Sequence, residues 1–170
     1  MKCSYFNSCI KNNCSLNKTD CLEYKVCHSK ITCKENGRMY ILTNDNSSTF
    51  SKYHVDGHVI TGSEKKCDYM LINYYDNHHK VIFVELKGQH VVRAIEQILN
   101  TFDTLEQDLK NLSNVKYYSR IVLSKFPPYM RTNSEYIKMR EKLFNFNNGD
   151  YDNIYVNIQN GKIEERLSTL

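Results

Sequence analysis

The sequence has no long apolar run, and this absence argues against a membrane protein. It contains no stretch of about 18 consecutive apolar residues, the length that a membrane-spanning helix needs. The first residues, MKCSYFN, carry no apolar core of a signal peptide. We therefore expect a cytoplasmic protein with no membrane partner. Internal repeats and linkers are also absent, so most of the 170 residues are expected to form a single domain.

Closely spaced cysteine pairs are absent as well, although the chain contains seven cysteines. Zinc modules usually use a CxxC pair to bring two thiolates to one ion, and cytosolic thiols stay reduced. Zn²⁺, an iron–sulfur cluster, a disulfide and plain reduced thiols all stay open as interpretations. We assign residues 1–36 to a Cys-rich N-terminal segment and residues 37–170 to the main domain. Six cysteines lie in that segment, at Cys3, Cys9, Cys14, Cys21, Cys27 and Cys33, and the seventh is Cys67.

The net charge of +4 is mildly basic and is compatible with a polyanionic partner. Basic residues concentrate between positions 110 and 142, where Glu135 and Glu141 are the only acids and tyrosines are interspersed. Such a surface suits a phosphate backbone and stacked bases, and the alternative is an ordinary solvated face. The basic residues are Lys110, Lys116, Arg120, Lys125, Arg131, Lys138, Arg140 and Lys142.

Hydrophobic periodicity predicts strands and helices in an order typical of an α/β protein. Three meandering strands, 52–60, 67–74 and 80–86, come directly before a long helix, and another strand follows it; this order predicts a mixed sheet with helices on its faces. Apolar residues from Val91 to Leu112 recur at steps of three and four, which indicates one buried helical stripe. The predicted strands are 38–43, 52–60, 67–74, 80–86, 116–124 and 154–158, and the predicted helices are 90–112 and 133–146.

The predicted hairpin of residues 66–89 carries three charges on strands that should be buried. A two-residue turn at Asn77–His78 would place Asp68 opposite Lys87 and diagonal to Glu85, with all three on one face. Two neighbouring carboxylates raise each other's pKa unless a cation lies between them. Mg²⁺ binds such oxygen ligands and stabilises charge on a phosphate under attack. The pattern predicts a metal-dependent phosphodiesterase site, and its alternative is a surface ion pair.

Asp68 on one strand, followed by Glu85-Leu86-Lys87 on the next strand and then by a helix, resembles the PD-(D/E)xK nuclease superfamily. The resemblance implies a restriction-endonuclease-like fold, a mixed β-sheet with an αβββαβ core flanked by helices. It also implies that Asp68 and Glu85 bind metal, with the Leu86 carbonyl as a third ligand, and that Lys87 is the catalytic lysine. Cys67 stands where the signature has Pro.

The segment RAIEQ, residues 93–97, is similar to the branch of that superfamily that contains the RecB and Cas4 nucleases. In that branch a Gln on this helix points to the active site, which makes Gln97 a candidate catalytic residue. Thr101 stands where the branch has a Tyr. The acid that the first helix often supplies has two candidates here, Glu23 and Glu35. Asp56 competes with Asp68 as the first metal-binding acid.

The resemblance implies a Mg²⁺- or Mn²⁺-dependent nuclease that hydrolyses phosphodiester bonds with a water nucleophile. We expect DNA as its substrate in preference to RNA. A homodimer or a partner protein would supply specificity, because the sequence contains no separate recognition domain. The alternative is a catalytically silent protein of the same fold that binds nucleic acid as a subunit of a larger complex.

Overall fold

A computed structural model describes residues 22–75, 78–112, 114–125, 129–149 and 156–170. These ranges contain nine strands and two α-helices in an α/β arrangement. The strands are β1 (Leu22–Val26), β2 (Lys30–Glu35), β3 (Arg38–Thr43), β4 (Thr49–His54), β5 (Tyr69–Tyr75), β6 (His78–Lys87), β7 (Val115–Leu123), β8 (Val156–Asn160) and β9 (Lys162–Arg166). The helices are α1 (Val91–Leu109) and α2 (Ser134–Phe146), and short 3₁₀ turns span Met130–Thr132 and Leu167–Thr169.

The main sheet is mixed and has six strands in the order β1-β4-β5-β6-β7-β8. The pairs β1–β4, β4–β5 and β5–β6 are antiparallel, whereas the pairs β6–β7 and β7–β8 are parallel. The crossover from β6 to β7 passes through α1, as a parallel connection requires. Strand β6 is central, and its residues from Val81 to Leu86 are all buried, which accounts for the continuous apolar run in its sequence.

A second, three-stranded sheet in the order β2-β3-β9 packs on the main sheet. Strands β2 and β3 form an antiparallel hairpin, while β9 pairs with β3 in parallel. The tip of the hairpin is Asn36–Gly37, and both residues have positive φ angles of 47° and 77°. This geometry suits a two-residue turn between tightly twisted strands. The sequence predicted a boundary at residues 36–37, and that position lies within this hairpin.

The apolar stripe of α1 packs on β6, β7 and α2. Phe102 is at the centre of this contact, with its ring 5.6 Å from that of Phe83 and 4.5 Å from that of Phe146. Helix α2 begins after Asn133, whose side chain accepts hydrogen bonds from the backbone N–H groups of Glu135 and Tyr136. The cap fixes the start of α2 where the sequence predicted it.

The structure differs from the predicted elements at three places. Residues 22–35, which have little periodicity, contribute β1 and β2. The strand predicted over residues 52–60 ends at His54, because Val55 to Ile60 turn through Gly57 at a φ of 78°. The polar stretch after Gly161 forms β9, in which Ile163 is a buried residue. Local periodicity could not reveal β9, because its register comes from the parallel pairing with β3.

Candidate active site

Asp68 and Glu85 lie directly opposite each other where β5 begins and β6 ends. The register pairs Tyr69 with Val84, so the next pair outward is Asp68 and Glu85. The sequence placed Asp68 opposite Lys87, and this prediction was wrong by two residues. The last pair of the two strands before their connection is Tyr75 with His78. A shift of two preserves the face, because side chains alternate with a period of two.

Backbone hydrogen bonds link the two acids reciprocally. The Asp68 N–H donates to Glu85 Oε2 at 3.1 Å, and the Leu86 N–H donates to Asp68 Oδ2 at 2.7 Å. Each carboxylate therefore holds the backbone of the opposite strand. Lys87 Nζ lies 3.2 Å from Glu85 Oε1. That oxygen is buried and accepts no hydrogen bond of regular geometry within the described residues.

Burial and neighbouring negative charges disfavour the charged forms of both acids. Burial, and then the charge of Asp68, raise the pKa of Glu85 to about 8. Burial also raises the pKa of Asp68 to about 6, although the hydrogen bond from Leu86 lowers it. The neighbouring charges of Glu35 and Asp56 add to the increase at Asp68. Protons or another cation are therefore needed to hold both groups together near neutral pH.

Helix α1 fixes the two residues that precede Asp68. Gln97 Nε2 donates to the Lys66 carbonyl at 2.7 Å, and the Cys67 N–H donates to Thr101 Oγ1 at 2.8 Å. Both helix side chains are buried. Gln97 was predicted to point to the active site, and the structure shows it bound to the backbone two residues before Asp68. Gln97 and Thr101 therefore position the strand that carries the acid.

Arg38, at the start of β3, reaches the same end of the main sheet. The sequence did not indicate that Arg38 belongs to the site. Its Nε donates to the Leu86 carbonyl at 3.1 Å, and its Nη1 donates to Ser124 Oγ at 3.1 Å. The Leu86 carbonyl, predicted as a third metal ligand, thus already accepts a hydrogen bond. No local pattern marks a single arginine at the start of a strand as a site residue, because only the packing of the two sheets brings it to this end of β6.

Two of the other candidate acids, Asp56 and Glu35, lie near Asp68 without joining the pair. Asp56 is exposed, and its Oδ1 is 3.4 Å from Lys66 Nζ. Glu35 is exposed at the hairpin tip, and the side chain of Glu23 lies outside the described residues. Within the described ranges, no three His, Cys, Asp or Glu side chains form a group that could hold a metal ion. The oxygen ligands available to a metal ion at this end of the main sheet are therefore the carboxylates of Asp68 and Glu85.

The predicted basic surface is only partly present. Tyr117, Tyr118 and Arg120 are buried, which corrects their assignment to a nucleic-acid face. Three of the lysines form ion pairs with acids: Lys110 with Glu106, Lys138 with Glu135, and Lys142 with Asp103. These pairs reduce the positive potential that the sequence predicted along α2 and the end of α1.

The predicted cysteine site falls mostly outside the described residues, where Cys3, Cys9, Cys14 and Cys21 lie. Of the described cysteines, Cys27 is exposed, and Cys33 and Cys67 are buried. Burial raises the pKa of Cys67 well above its ordinary value. The Cys67 thiol next to the acids is therefore protonated and unreactive at neutral pH.

Comparison with protein-family models, with curated proteins and with solved structures gave no match to this chain. Neither of the two helices in the described ranges is both long and apolar enough to cross a membrane.

Proposed function

We propose that this chain is a metal-dependent nuclease whose active site is formed by Asp68, Glu85 and Lys87. One observation carries the proposal: the half-buried carboxylate of Asp68 and the buried carboxylate of Glu85 meet where β5 begins and β6 ends, with Lys87 Nζ 3.2 Å from Glu85 Oε1. The order β4, β5, β6, α1, β7 supports the proposed resemblance to the PD-(D/E)xK core.

The donor set fits Mg²⁺ or Mn²⁺, because such ions are often held by one or two carboxylates, with water and phosphate oxygens completing the shell. Asp68 and Glu85 would hold the ion, and the buried Glu85 Oε1 is an acceptor with no regular hydrogen bond from any described residue. When bound, the ion would activate a water molecule and stabilise negative charge on the phosphate. It would also remove the repulsion that raises the pKa values of the two acids.

Lys87 supplies a fixed cation where the phosphate would lie. In hydrolysis, a water oxygen forms a bond to phosphorus while the bond from phosphorus to the leaving oxygen breaks. The water loses a proton, and the leaving oxygen gains one. The ammonium of Lys87, held beside Glu85, would orient both the water and the phosphate by donating hydrogen bonds to them.

The substrate class that we propose is DNA in preference to RNA. An open cleft of about 760 Å³ lies at the start of α1, which follows Lys87 in the chain. A homodimer or a partner protein would bring the specificity that a single copy lacks. The lining residues of the cleft are Lys65, Gln89, His90, Val91, Val92, Arg93 and Glu96.

A cleavage assay with Mg²⁺ or Mn²⁺ tests this function on single-stranded and duplex DNA and on RNA. We expect Asp68→Asn and Lys87→Ala each to reduce the rate by about a hundredfold or more, because each removes a group that acts in the chemical step. The matched controls are Asp103→Asn and Lys162→Ala, whose side chains form surface ion pairs. These controls should cleave like the wild type.

Equal cleavage by the wild type and both site variants would contradict the proposal, as would full activity in a chelator. Nucleic-acid binding without cleavage under all metal conditions would instead support the alternative of a catalytically silent binding subunit.

A further inference from the structure

Arg38 places a guanidinium group at the proposed active site from the second sheet. Its Nε and Nη1 hydrogen bonds end on the Leu86 carbonyl, between Glu85 and Lys87, and on Ser124, just after β7. Because β6 and β7 are parallel neighbours, both acceptors lie at the same end of the main sheet. The guanidinium therefore lies beside the residues proposed to act on the phosphate.

The charge of Arg38 is not neutralised by an acid among the described residues. Both of its hydrogen bonds end on neutral oxygens. Glu35 pairs with Arg38 across the hairpin, yet the Glu35 carboxylate accepts from Asn36 Nδ2 instead. A guanidinium has five N–H donors, so three remain for a ligand. A half-buried cation without an anion costs free energy unless a ligand supplies that anion.

The second sheet holds Arg38 in a fixed position. Lys52 Nζ of β4 donates a hydrogen bond to the Thr32 carbonyl of β2 at 2.9 Å, which joins the hairpin to the main sheet. Tyr69 Oη donates to the Lys34 carbonyl at 3.4 Å. These contacts anchor the strand next to Arg38, so the guanidinium is pre-organised and loses little freedom on binding a ligand.

We propose that Arg38 binds a phosphate oxygen of the nucleic-acid strand held at Asp68, Glu85 and Lys87, using the donors that do not bind Leu86 and Ser124. This inference rests on the proposed function, since it names a substrate-binding residue of the same site. Arg38 suits a phosphate because its planar fork can donate two parallel hydrogen bonds to it. The competing explanation is that Arg38 only fastens the hairpin to β6.

The test measures binding in a Glu85→Gln background, which prevents cleavage and removes one repelling carboxylate. Fluorescence anisotropy gives the Kd for a short labelled DNA, single-stranded and duplex, across a series of KCl concentrations. The added substitutions are Arg38→Gln, which keeps a donor for Leu86 but loses the charge, and Arg38→Lys, which keeps the charge. Arg166→Gln is the matched control, because Arg166 is an exposed arginine on β9 at the opposite end of β3.

We expect Arg38→Gln to weaken binding by about tenfold, the loss expected for a hydrogen bond to a charged group. The slope of log Kd against log salt should fall by roughly 0.7 for single strands and 0.9 for duplex. Arg38→Lys should keep the slope, and Arg166→Gln should keep both affinity and slope. Thermal melting confirms that each variant is folded.

An unchanged salt slope in folded Arg38→Gln would overturn the inference and leave Arg38 only the role of fastening the hairpin to β6. A complete lack of nucleic-acid binding in the Glu85→Gln background would also overturn it. The nuclease proposal fails separately. If the wild type cleaves and Arg38→Gln binds normally, only the assignment of Arg38 is wrong. If the wild type never cleaves but Arg38→Gln lowers the slope, Arg38 is a binding residue of a silent protein.

Discussion

At the scale of single residues, Asp68 and Glu85 hold each other's strands while their charges repel. Each accepts a backbone N–H from the opposite strand, which fixes the side chains, and the charge of Asp68 adds to burial in raising the pKa of Glu85. Such a pair is less stable without a cation than a neutral pair of the same shape. This arrangement makes the stability of the protein depend on pH and on metal.

We expect the metal-free protein to lose stability as the pH rises from about 4 to about 8. In the unfolded chain the pKa values are about 3.9 for Asp and about 4.3 for Glu, whereas folding raises them to about 6 at Asp68 and about 8 at Glu85. Folding therefore binds protons, and the stabilising contribution present below pH 4 or so is lost as the folded groups ionise. The loss is on the order of a few kcal/mol.

Glu85→Gln checks this prediction by thermal melting in a chelator. At pH 8 the variant should melt roughly 5 °C higher than the wild type, because the amide keeps the acceptor for the Asp68 N–H and removes a charge. The difference should shrink at pH 5. Added Mg²⁺ should raise the melting temperature of the wild type and not that of Glu85→Gln. If the melting temperature of the wild type is independent of both pH and Mg²⁺, the predicted repulsion between the Asp68 and Glu85 carboxylates is contradicted.

At the scale of elements, helix α1 connects the backbone next to Asp68 with the hydrophobic core. Thr101 is fully buried and its hydroxyl both accepts from the Cys67 N–H and donates to the Gln97 carbonyl. The helix is in turn held by its apolar face against β6 and β7. The alignment of the acid therefore depends on a residue of a different element.

Thr101→Val should destabilise the protein by about 1–3 kcal/mol, because it leaves the buried Cys67 N–H without an acceptor. Thr104→Val is the matched control: Thr104 also donates to the carbonyl four residues earlier, but it accepts no backbone N–H within the described residues. Urea unfolding of both variants measures the difference. Equal losses in the two would mean that the Cys67 contact contributes nothing.

The sequence predicted elements with strong periodicity, such as α1, β3, and most of β5, β6 and β7, because their burial pattern is local. It predicted the shared face of the two acids for the same reason. The register of the hairpin depends on which two residues make its turn. The polar stretch between the two strands offers more than one suitable pair, so the sequence did not determine the register. The role of Arg38, the strand β9 and the burial of Arg120 come from contacts between distant parts of the chain, and local patterns carry no information about those.

At the scale of the whole molecule, a buried polar cluster joins the two sheets. Glu165 on β9 accepts from Arg120 Nε of β7 at 2.6 Å and from Tyr40 Oη of β3 at 2.7 Å. Arg120 is fully buried, so its charge is compensated by this one carboxylate and its other contacts. Burial, and then the Glu165 charge, raise the pKa of Tyr40, which keeps its hydroxyl a donor.

Glu165→Ala should destabilise the protein by about 3–5 kcal/mol, because it leaves the buried guanidinium of Arg120 without its carboxylate. Glu164→Ala, one position earlier, removes an exposed ion pair with Lys162 and should cost less than about 1 kcal/mol. Urea unfolding compares the two variants. A small and equal loss in both would show that the cluster does not hold the sheets together.

The parallel pairing of β3 and β9 has a consequence for biosynthesis. Tyr40 and Glu165 are 125 positions apart in the chain and bind each other directly. A ribosome delivers β3 long before β9, so the small sheet stays one strand short, with Arg120 lacking its carboxylate, until β9 itself has been synthesised. The hairpin bearing Arg38 therefore gains its last neighbour late, and a truncated nascent chain holds both acids before it holds the finished scaffold around them.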